Sequence, residues 1–215
     1  MTITLYSAWR ATAPYRVRIG LNLKGIAYDY HALDLVAGDQ HKAEYRAVNP
    51  QRLTPALDLG DGSDILTQSL AILEWLDETH PEPAILPRDP MDRARVRIMA
   101  DIIACDIHPL NNTRVIRALG AMQVGQPRQA QWMERWMSDG FSTLEPMIAK
   151  YGKGFAFGDT PTIADCCLVP QVYSARRFKV DLEPYPAIRA AAEACAELPA
   201  FIAAHPDNQP DAQKV

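Results

Sequence analysis

Two short signals in the first third of the chain have the residue types and spacing of a ligand site: Leu53-Thr54-Pro55-Ala56-Leu57, and Gln68-Ser69 opening an apolar run. X-Pro is the only common cis peptide, and a proline between a loop and a strand is a candidate for one. Pro55 has no N–H, so it cannot act as a central ladder donor. A cis turn there would leave the N–H and C=O of Thr54 facing outward, free to pair with an extended peptide as a strand edge does. Ser69 stands where a helix begins, before Leu70, Ala71, Ile72 and Leu73. Its hydroxyl, its N–H and the positive end of that helix suit a carboxylate. Taken singly, Pro55 reads as a trans loop proline and Ser69 as a plain N-cap. Together, inside a βαβ then ββα order, they describe a cradle for a small, charged peptide.

The elements that must position these residues follow from pattern. Residues 2–6 alternate and are rich in β-formers, which predicts a strand. Residues 14–24 read as a helix, with Pro14 near its first turn and Gly25 just past its end. A second strand is expected over 28–33 and a short helix over 40–47, ended by Asn49-Pro50. A strand over 54–59, a turn at Gly60-Asp61-Gly62, a short strand at 65–66 and a helix over 69–78 complete the order. Residues 80–90 carry Pro81, Pro83, Pro87 and Pro90 and read as a linker. Beyond them the apolar spacing is helical: 91–118 interrupted near Pro109, then 127–150, then a helix opened by the capping box Thr162-Ile163-Ala164-Asp165, then 186–198. The tail beyond His205 is polar and expected to be loosely held. The division is therefore an α/β domain over 1–82 and an all-helical domain over 89–215.

Composition excludes several classes. The 215 residues are 48% hydrophobic and 22% charged, which is ordinary for a globular chain. A net charge of −4 and a pI near 5.7 give no electrostatic footprint for nucleic acid. The apolar runs fall short of the roughly 20 residues of a membrane span. The start Met1-Thr2-Ile3-Thr4-Leu5 lacks the charged, apolar pattern of a signal peptide. Cys105, Cys166, Cys167 and Cys195 have no CxxC spacing and read as reduced, mostly packed thiols of a cytoplasmic protein. The five histidines show no HExxH pairing, so no metal is expected.

With Thr54-Pro55, Gln68-Ser69 and Gly158-Asp159-Thr160-Pro161-Thr162-Ile163-Ala164-Asp165 in succession, the chain resembles the glutathione transferase superfamily over about residues 4–210. That resemblance implies a thioredoxin-like domain followed by a helical domain. Four further segments resemble the zeta class, which includes maleylacetoacetate and maleylpyruvate isomerases. They are Arg16-Val17-Arg18-Ile19-Gly20-Leu21-Asn22-Leu23-Lys24-Gly25, Asp106-Ile107-His108-Pro109-Leu110-Asn111-Asn112, Arg176-Arg177-Phe178-Lys179-Val180-Asp181-Leu182 and Gln209-Pro210-Asp211. The sequence departs from the class after Arg10. Zeta enzymes usually carry Ser-Ser-Cys or a hydroxyl-bearing variant there, and this chain has Ala11-Thr12-Ala13-Pro14-Tyr15. Only Thr12 offers an O–H.

By that resemblance Ser69 and Gln68 take the γ-glutamyl end of glutathione, the Thr54 backbone beside Pro55 pairs with the cysteinyl unit, and Gln40 or His41 reaches the glycine carboxylate. Asn112 is a polar contact. A free thiol has a pKa of about 8.5, and lowering it by about two units takes roughly 2.7 kcal/mol. A helix N-terminus supplies up to ~2 kcal/mol and one hydroxyl donor to a charged sulfur roughly 1.5–3 kcal/mol. Thr12 with the amides of the helix start is therefore the expected thiolate site. Tyr6 is a rival donor that reads better as a packed strand residue. The implied reaction is cis–trans isomerisation of a maleyl keto acid in aromatic-compound catabolism, with glutathione recycled as nucleophilic catalyst. Arg10 and Arg177, then Arg114 and Arg176, are the expected cations for a dicarboxylic substrate and its enolate charge. Surface salt bridging is the bland alternative for each arginine. His108 reads as a packed helix residue, and Arg16 and Arg18 as structural ion-pair formers. A glutathione transferase or dehalogenase of small α-halo acids, and a glutathione-binding protein with little catalysis, stay open as alternatives. The family implies a homodimer.

Overall fold

The computed structural model describes residues 2–213; Met1, Lys214 and Val215 lie outside the described residues. Contacts divide the chain into two compact units, one running to Ile85 and resuming at Glu197, the other spanning Leu86–Ala196.

The first unit holds β1 (Thr4–Ser7), α1 (Thr12–Leu23), β2 (Asp29–Ala32), a 3-10 turn (Asp39–His41), α2 (Ala43–Val48), β3 (Ala56–Asp58), β4 (Leu66–Thr67) and α3 (Ser69–Thr79). The sheet order is β2-β1-β3-β4, with β1 parallel to β2, antiparallel to β3, and β3 antiparallel to β4. In register, Leu5 faces Tyr30 on one side and Leu57 on the other, and Leu5 and Leu57 are fully buried. Helix α1 is buried nearly all round, at Val17, Ile19 and Leu21 and also at Arg16 and Arg18. It packs on α3 at Gly20, where a Cβ would collide with the Leu73 side chain. Lys24 at the end of α1 donates to Asp77 of α3 at 2.8 Å and to the C=O of Pro83 at 2.7 Å, and Asp77 also accepts from the N–H of Ile85. The proline-rich connection is thereby tied to the end of two helices.

Two sequence expectations change here. The helix predicted over 14–24 begins two residues earlier, with Pro14 in its first turn as its third residue, and Ala11 occupies the cap. The C-terminal segment, assigned by sequence to the helical domain over 89–215 and expected to be loose, packs in the first unit. Helix α9 (Pro199–Ala204) lies on α1, and a 3-10 turn (Pro206–Asn208) follows it. Gln209 is buried, and its amide donates to the C=O of Ala203 at 2.9 Å and of His205 at 2.8 Å. Polar composition signals a loose tail only when backbone partners are absent; here they are supplied by α9.

The second unit holds α4 (Pro90–Asp101), which runs on as a π-helix (Ile102–Ile107), α5 (Thr113–Ala121), α6 (Gln126–Tyr151), α7 (Ile163–Arg177) and α8 (Pro186–Ala196). Val96, Met99, Ile103, Ile107, Met137, Phe141, Leu144, Leu168 and Ile188 form its core. The break expected near Pro109 falls at a turn between the π-helix and α5. The capping box at α7 is present: Thr162 Oγ1 accepts from Ala164 N–H, and Asp165 accepts from Thr162 N–H at 2.8 Å and Thr162 O–H at 3.0 Å. Fully buried, Asp165 also accepts from Ala156 N–H at 2.7 Å and faces the Cys195 thiol at 3.6 Å. Cys166, Cys167 and Cys195 are buried and Cys105 is exposed.

Candidate functional site

The start of α1 is a set of unspent donors. Ala11 at the cap has no side-chain acceptor, and the first turn has no acidic residue. Tyr15 N–H already donates to Ala11 C=O at 3.1 Å, and Pro14 has no N–H. The amides left open by helix geometry are those of Thr12 and Ala13. Thr12 is half-buried and is the first helical residue, so its hydroxyl is not employed as an N-cap. Arg10 precedes it in a turn, exposed, with its guanidinium 5.1 Å from the ring of Trp9. A sulfur or oxygen anion placed against this turn would meet two amides, a hydroxyl and the positive helix end.

The start of α3 is built differently. The Thr54–Pro55 peptide is cis, as the sequence suggested, and Thr54 lies just before the ladder of β3. Gln68 takes the cap position with φ of 66°, a left-handed conformation uncommon for a residue with a side chain. Its amide donates to Gln51 Oε1 at 2.9 Å. Strained backbone of this kind clusters at ligand sites. Ser69 is the first residue of the helix and not its cap, and it is buried. Arg16, buried on α1, donates to Ser69 Oγ at 3.2 Å. That contact uses the oxygen's acceptor side and leaves the Ser69 O–H to donate outward. Gln40 is buried in the 3-10 turn, its Nε2 3.3 Å from His41 Nε2, and its Oε1 has no hydrogen-bond partner among the described residues. Amide oxygen and nitrogen interchange by a half-turn of the group, so this end can accept or donate.

Tyr6 is a packing residue. Its ring lies 4.7 Å from His31 and 5.8 Å from Tyr45, among Leu33, Tyr45 and Ala56. Burial pushes the Tyr45 phenol up to about 12, while its O–H donates to Leu53 C=O at 2.6 Å.

The remaining candidates lie on the helical unit. Asn112 caps α5, accepting from the Arg114 N–H at 3.0 Å. Arg114 is exposed on the first turn of the same helix. Arg176 and Arg177 end α7, both exposed. Arg176 faces Glu193 at 4.0 Å, and the Arg177 guanidinium sits 4.5 Å from the Phe178 ring.

The structure thus joins Ser69 to Arg16, Gln68 to Gln51 and Gln40 to His41, and puts Arg10 in the turn that leads into Thr12 at the start of α1. Sequence reasoning missed the working partners. Arg16, read as a structural ion-pair former, also donates to the Ser69 hydroxyl and orients it. Arg18 is fully buried and donates to neutral oxygens, Ser7 Oγ and the C=O groups of Trp9 and Ala204, rather than to a carboxylate. The signal was two arginines among the buried, mostly apolar residues in the middle of α1. Among the described residues no group of three or more His, Cys, Asp or Glu side chains could hold a metal ion, and no helix is long and apolar enough to cross a membrane.

Residues 13–79 match the family model of the glutathione S-transferase N-terminal domain, and residues 130–197 that of its C-terminal domain. A maleylpyruvate isomerase of a Ralstonia species is 50% identical over 212 residues, covering 96% of this chain and 98% of that protein. A solved holo structure of maleylpyruvate isomerase, a bacterial zeta-class glutathione S-transferase, superposes with a TM-score of 0.94 at 49% identity, covering 98% of this chain and 100% of that one. The maleylacetoacetate isomerase of Anaeromyxobacter dehalogenans, solved with dicarboxyethyl glutathione and citrate in its active site, gives a TM-score of 0.90 at 47% identity, covering 99% and 98%.

Proposed function

The chain belongs to the glutathione S-transferase family, and from that premise we propose that it is a zeta-class, glutathione-dependent cis–trans isomerase of a maleyl keto acid, maleylpyruvate or maleylacetoacetate. The observation that carries this reading is the end-to-end likeness to isomerases of those acids, one of them holding a dicarboxyethyl conjugate of glutathione.

The residues present fit the tripeptide. Gln40 has a buried amide oxygen with no hydrogen-bond partner among the described residues, and Ser69 has a hydroxyl turned into a donor by Arg16. Bound glutathione supplies a thiol that, once ionised, adds reversibly to the maleyl double bond and lets it rotate. In this reading Ser69 and Gln68 hold the γ-glutamyl carboxylate and amine, and the Thr54 backbone beside Pro55 pairs with the cysteinyl unit. Gln40, with His41, takes the glycine carboxylate. Thr12, by its hydroxyl and amide, and Ala13, by its amide, favour the ionised sulfur. Arg10 offers a planar pair of donors to a substrate carboxylate. On the helical unit Arg177 is the first candidate for the same work, ahead of Arg114 and Arg176, with Asn112 as a polar contact. The reading carries with it a homodimer, a cytoplasmic location and a place in aromatic-compound catabolism.

The test is conversion of maleylpyruvate and maleylacetoacetate with and without glutathione. Isomerisation that requires glutathione and leaves its concentration unchanged is the expected result. A thioether product, or halide released from a small α-halo acid, would make the protein a transferase or dehalogenase; tight binding without turnover would make it a carrier. Arg177→Ala is expected to lower kcat/KM by up to about fivefold, the scale of one exposed guanidinium–carboxylate contact. Unchanged kinetics would remove Arg177 from the site.

A further inference from the structure

Trp9 is held by both of its backbone polar groups. Residues 8–11 join β1 to α1 in a turn closed by Ala11 N–H donating to Ala8 C=O at 3.0 Å, with Trp9 and Arg10 at its corners. The N–H of Trp9 donates to Oδ2 of Asp211 at 3.0 Å. Its C=O accepts from Arg18 Nη2 at 2.7 Å. Arg18 is itself fixed: its Nη1 donates to Ser7 Oγ and its Nε to Ala204 C=O, both at 3.0 Å, and its guanidinium lies 5.1 Å from the Tyr15 ring. Asp211 comes from 202 positions away in sequence. It is delivered by a pinned segment, with Pro206 and Gln209 buried and the Gln209 amide on two carbonyls of the preceding turn and helix.

Turn corners normally rest on one internal hydrogen bond, and many lack even that. This corner has two further bonds, one to a carboxylate and one from a guanidinium, each about twice as strong as a neutral bond. The turn so fixed leads directly into Arg10 and the open first turn of α1. With Ala11 at the cap, no cap side chain helps to hold an anion there, so the aim of the remaining donors carries more of the effect.

We propose that Asp211 is a positioning residue for catalysis: through Trp9, the C-terminal segment sets the turn that aims the Thr12 hydroxyl and the Thr12 and Ala13 amides at the sulfur of bound glutathione. This rests on the start of α1 being the thiolate site, as in the proposed function.

The experiment uses the full chain with Asp211→Ala and Asp211→Asn, and with Asp207→Ala as a control on the same segment. Asp207 is exposed, with its carboxylate 3.7 Å from His205. Thermal stability, KM for glutathione, the pH–rate profile, and the ultraviolet absorbance of the bound thiolate against pH are measured for each. Asp211→Ala is expected to move the thiolate titration and the acid limb of the profile to higher pH by about one unit, with kcat about tenfold lower at neutral pH and KM for glutathione nearly unchanged. Asp211→Asn, which keeps an acceptor for the Trp9 N–H, restores most of both, and Asp207→Ala matches the unaltered protein. A thiolate titration unmoved in Asp211→Ala, with only thermal stability lowered, overturns the proposal. Should Asp211→Ala fail to fold, Asp211→Glu decides: its carboxylate is displaced by one methylene, and an unmoved titration overturns the proposal equally. The titration needs no isomerase turnover. Inactivity of the unaltered protein toward both maleyl acids would therefore sink the proposed reaction and leave this inference to its own readout.

Discussion

Helices α1 and α7 begin in opposite ways. At α7, Thr162 and Asp165 satisfy one another's backbone neighbours, and the Asp165 carboxylate takes a further N–H from Ala156. At α1 the cap is Ala11, no acidic residue follows in the first turn, and two amides stay open. The contrast extends beyond these two. Asp89 caps α4 and Asn112 caps α5 in the helical unit, whereas α3 in the first unit starts at Gln68 with no side-chain cap. A helix start saturated by its own side chains serves the fold, because orphan donors buried without partners are costly. A start left open, beside a loop held from outside, is free to serve a ligand.

The largest expected effect would come from breaking the saturated end. Asp165→Ala leaves the buried Ala156 and Thr162 N–H groups without an acceptor, and urea denaturation should show a loss of about 3 kcal/mol or more. Glutathione affinity of the molecules that remain folded should be unchanged; a loss below about 1 kcal/mol would erase the contrast. Next is the open end of α3. Ser69→Ala should weaken glutathione binding about tenfold or more in calorimetry, the scale of one hydrogen bond to a charged group, roughly 1.5–3 kcal/mol. Equal affinity would remove Ser69 from the cradle. Ala11→Ser supplies α1 with the acceptor it lacks. In the absence of glutathione it should raise stability by about 1 kcal/mol, and no gain would mean that the first-turn amides are already satisfied.

The smallest effect separates the two units by their tyrosines. Burial raises Tyr28, Tyr30 and Tyr45 in the first unit, Tyr45 to about 12. Lys150 lowers Tyr151 in the second. A spectrophotometric titration should show Tyr151→Phe removing a step below the ordinary tyrosine value and Tyr45→Phe one well above it. Because the folded chain holds the Tyr45 proton more tightly than the unfolded chain does, the linked stability is complete below the ordinary tyrosine value. It is lost as pH rises through about 12.

Patterns local in sequence carried the fold a long way. The helix expected over 127–150 is α6 to within one residue at each end, and the capping box at Thr162 and Asp165 marks the start of α7. The βαβ then ββα alternation led to a small mixed sheet, which the structure has in the order β2-β1-β3-β4, and Thr54-Pro55 with Gln68-Ser69 pointed to the family. Those features depend on neighbours a few residues apart, where hydrogen-bond spacing and side-chain period act directly.

What the sequence could not supply were meetings between distant residues. Arg16 and Ser69 are 53 positions apart, and Trp9 and Asp211 are 202. The polar tail looked loose because its composition lacks a core of its own, and only α9 lying against α1 gives it carbonyls to grip. The burial of Arg18 was hidden for the same reason: a guanidinium can be taken out of water only where folding delivers oxygens to all its faces at once. Residue types and short spacings determined which chemistry this chain can hold; tertiary packing alone decided which backbone groups are fixed tightly enough to carry it out.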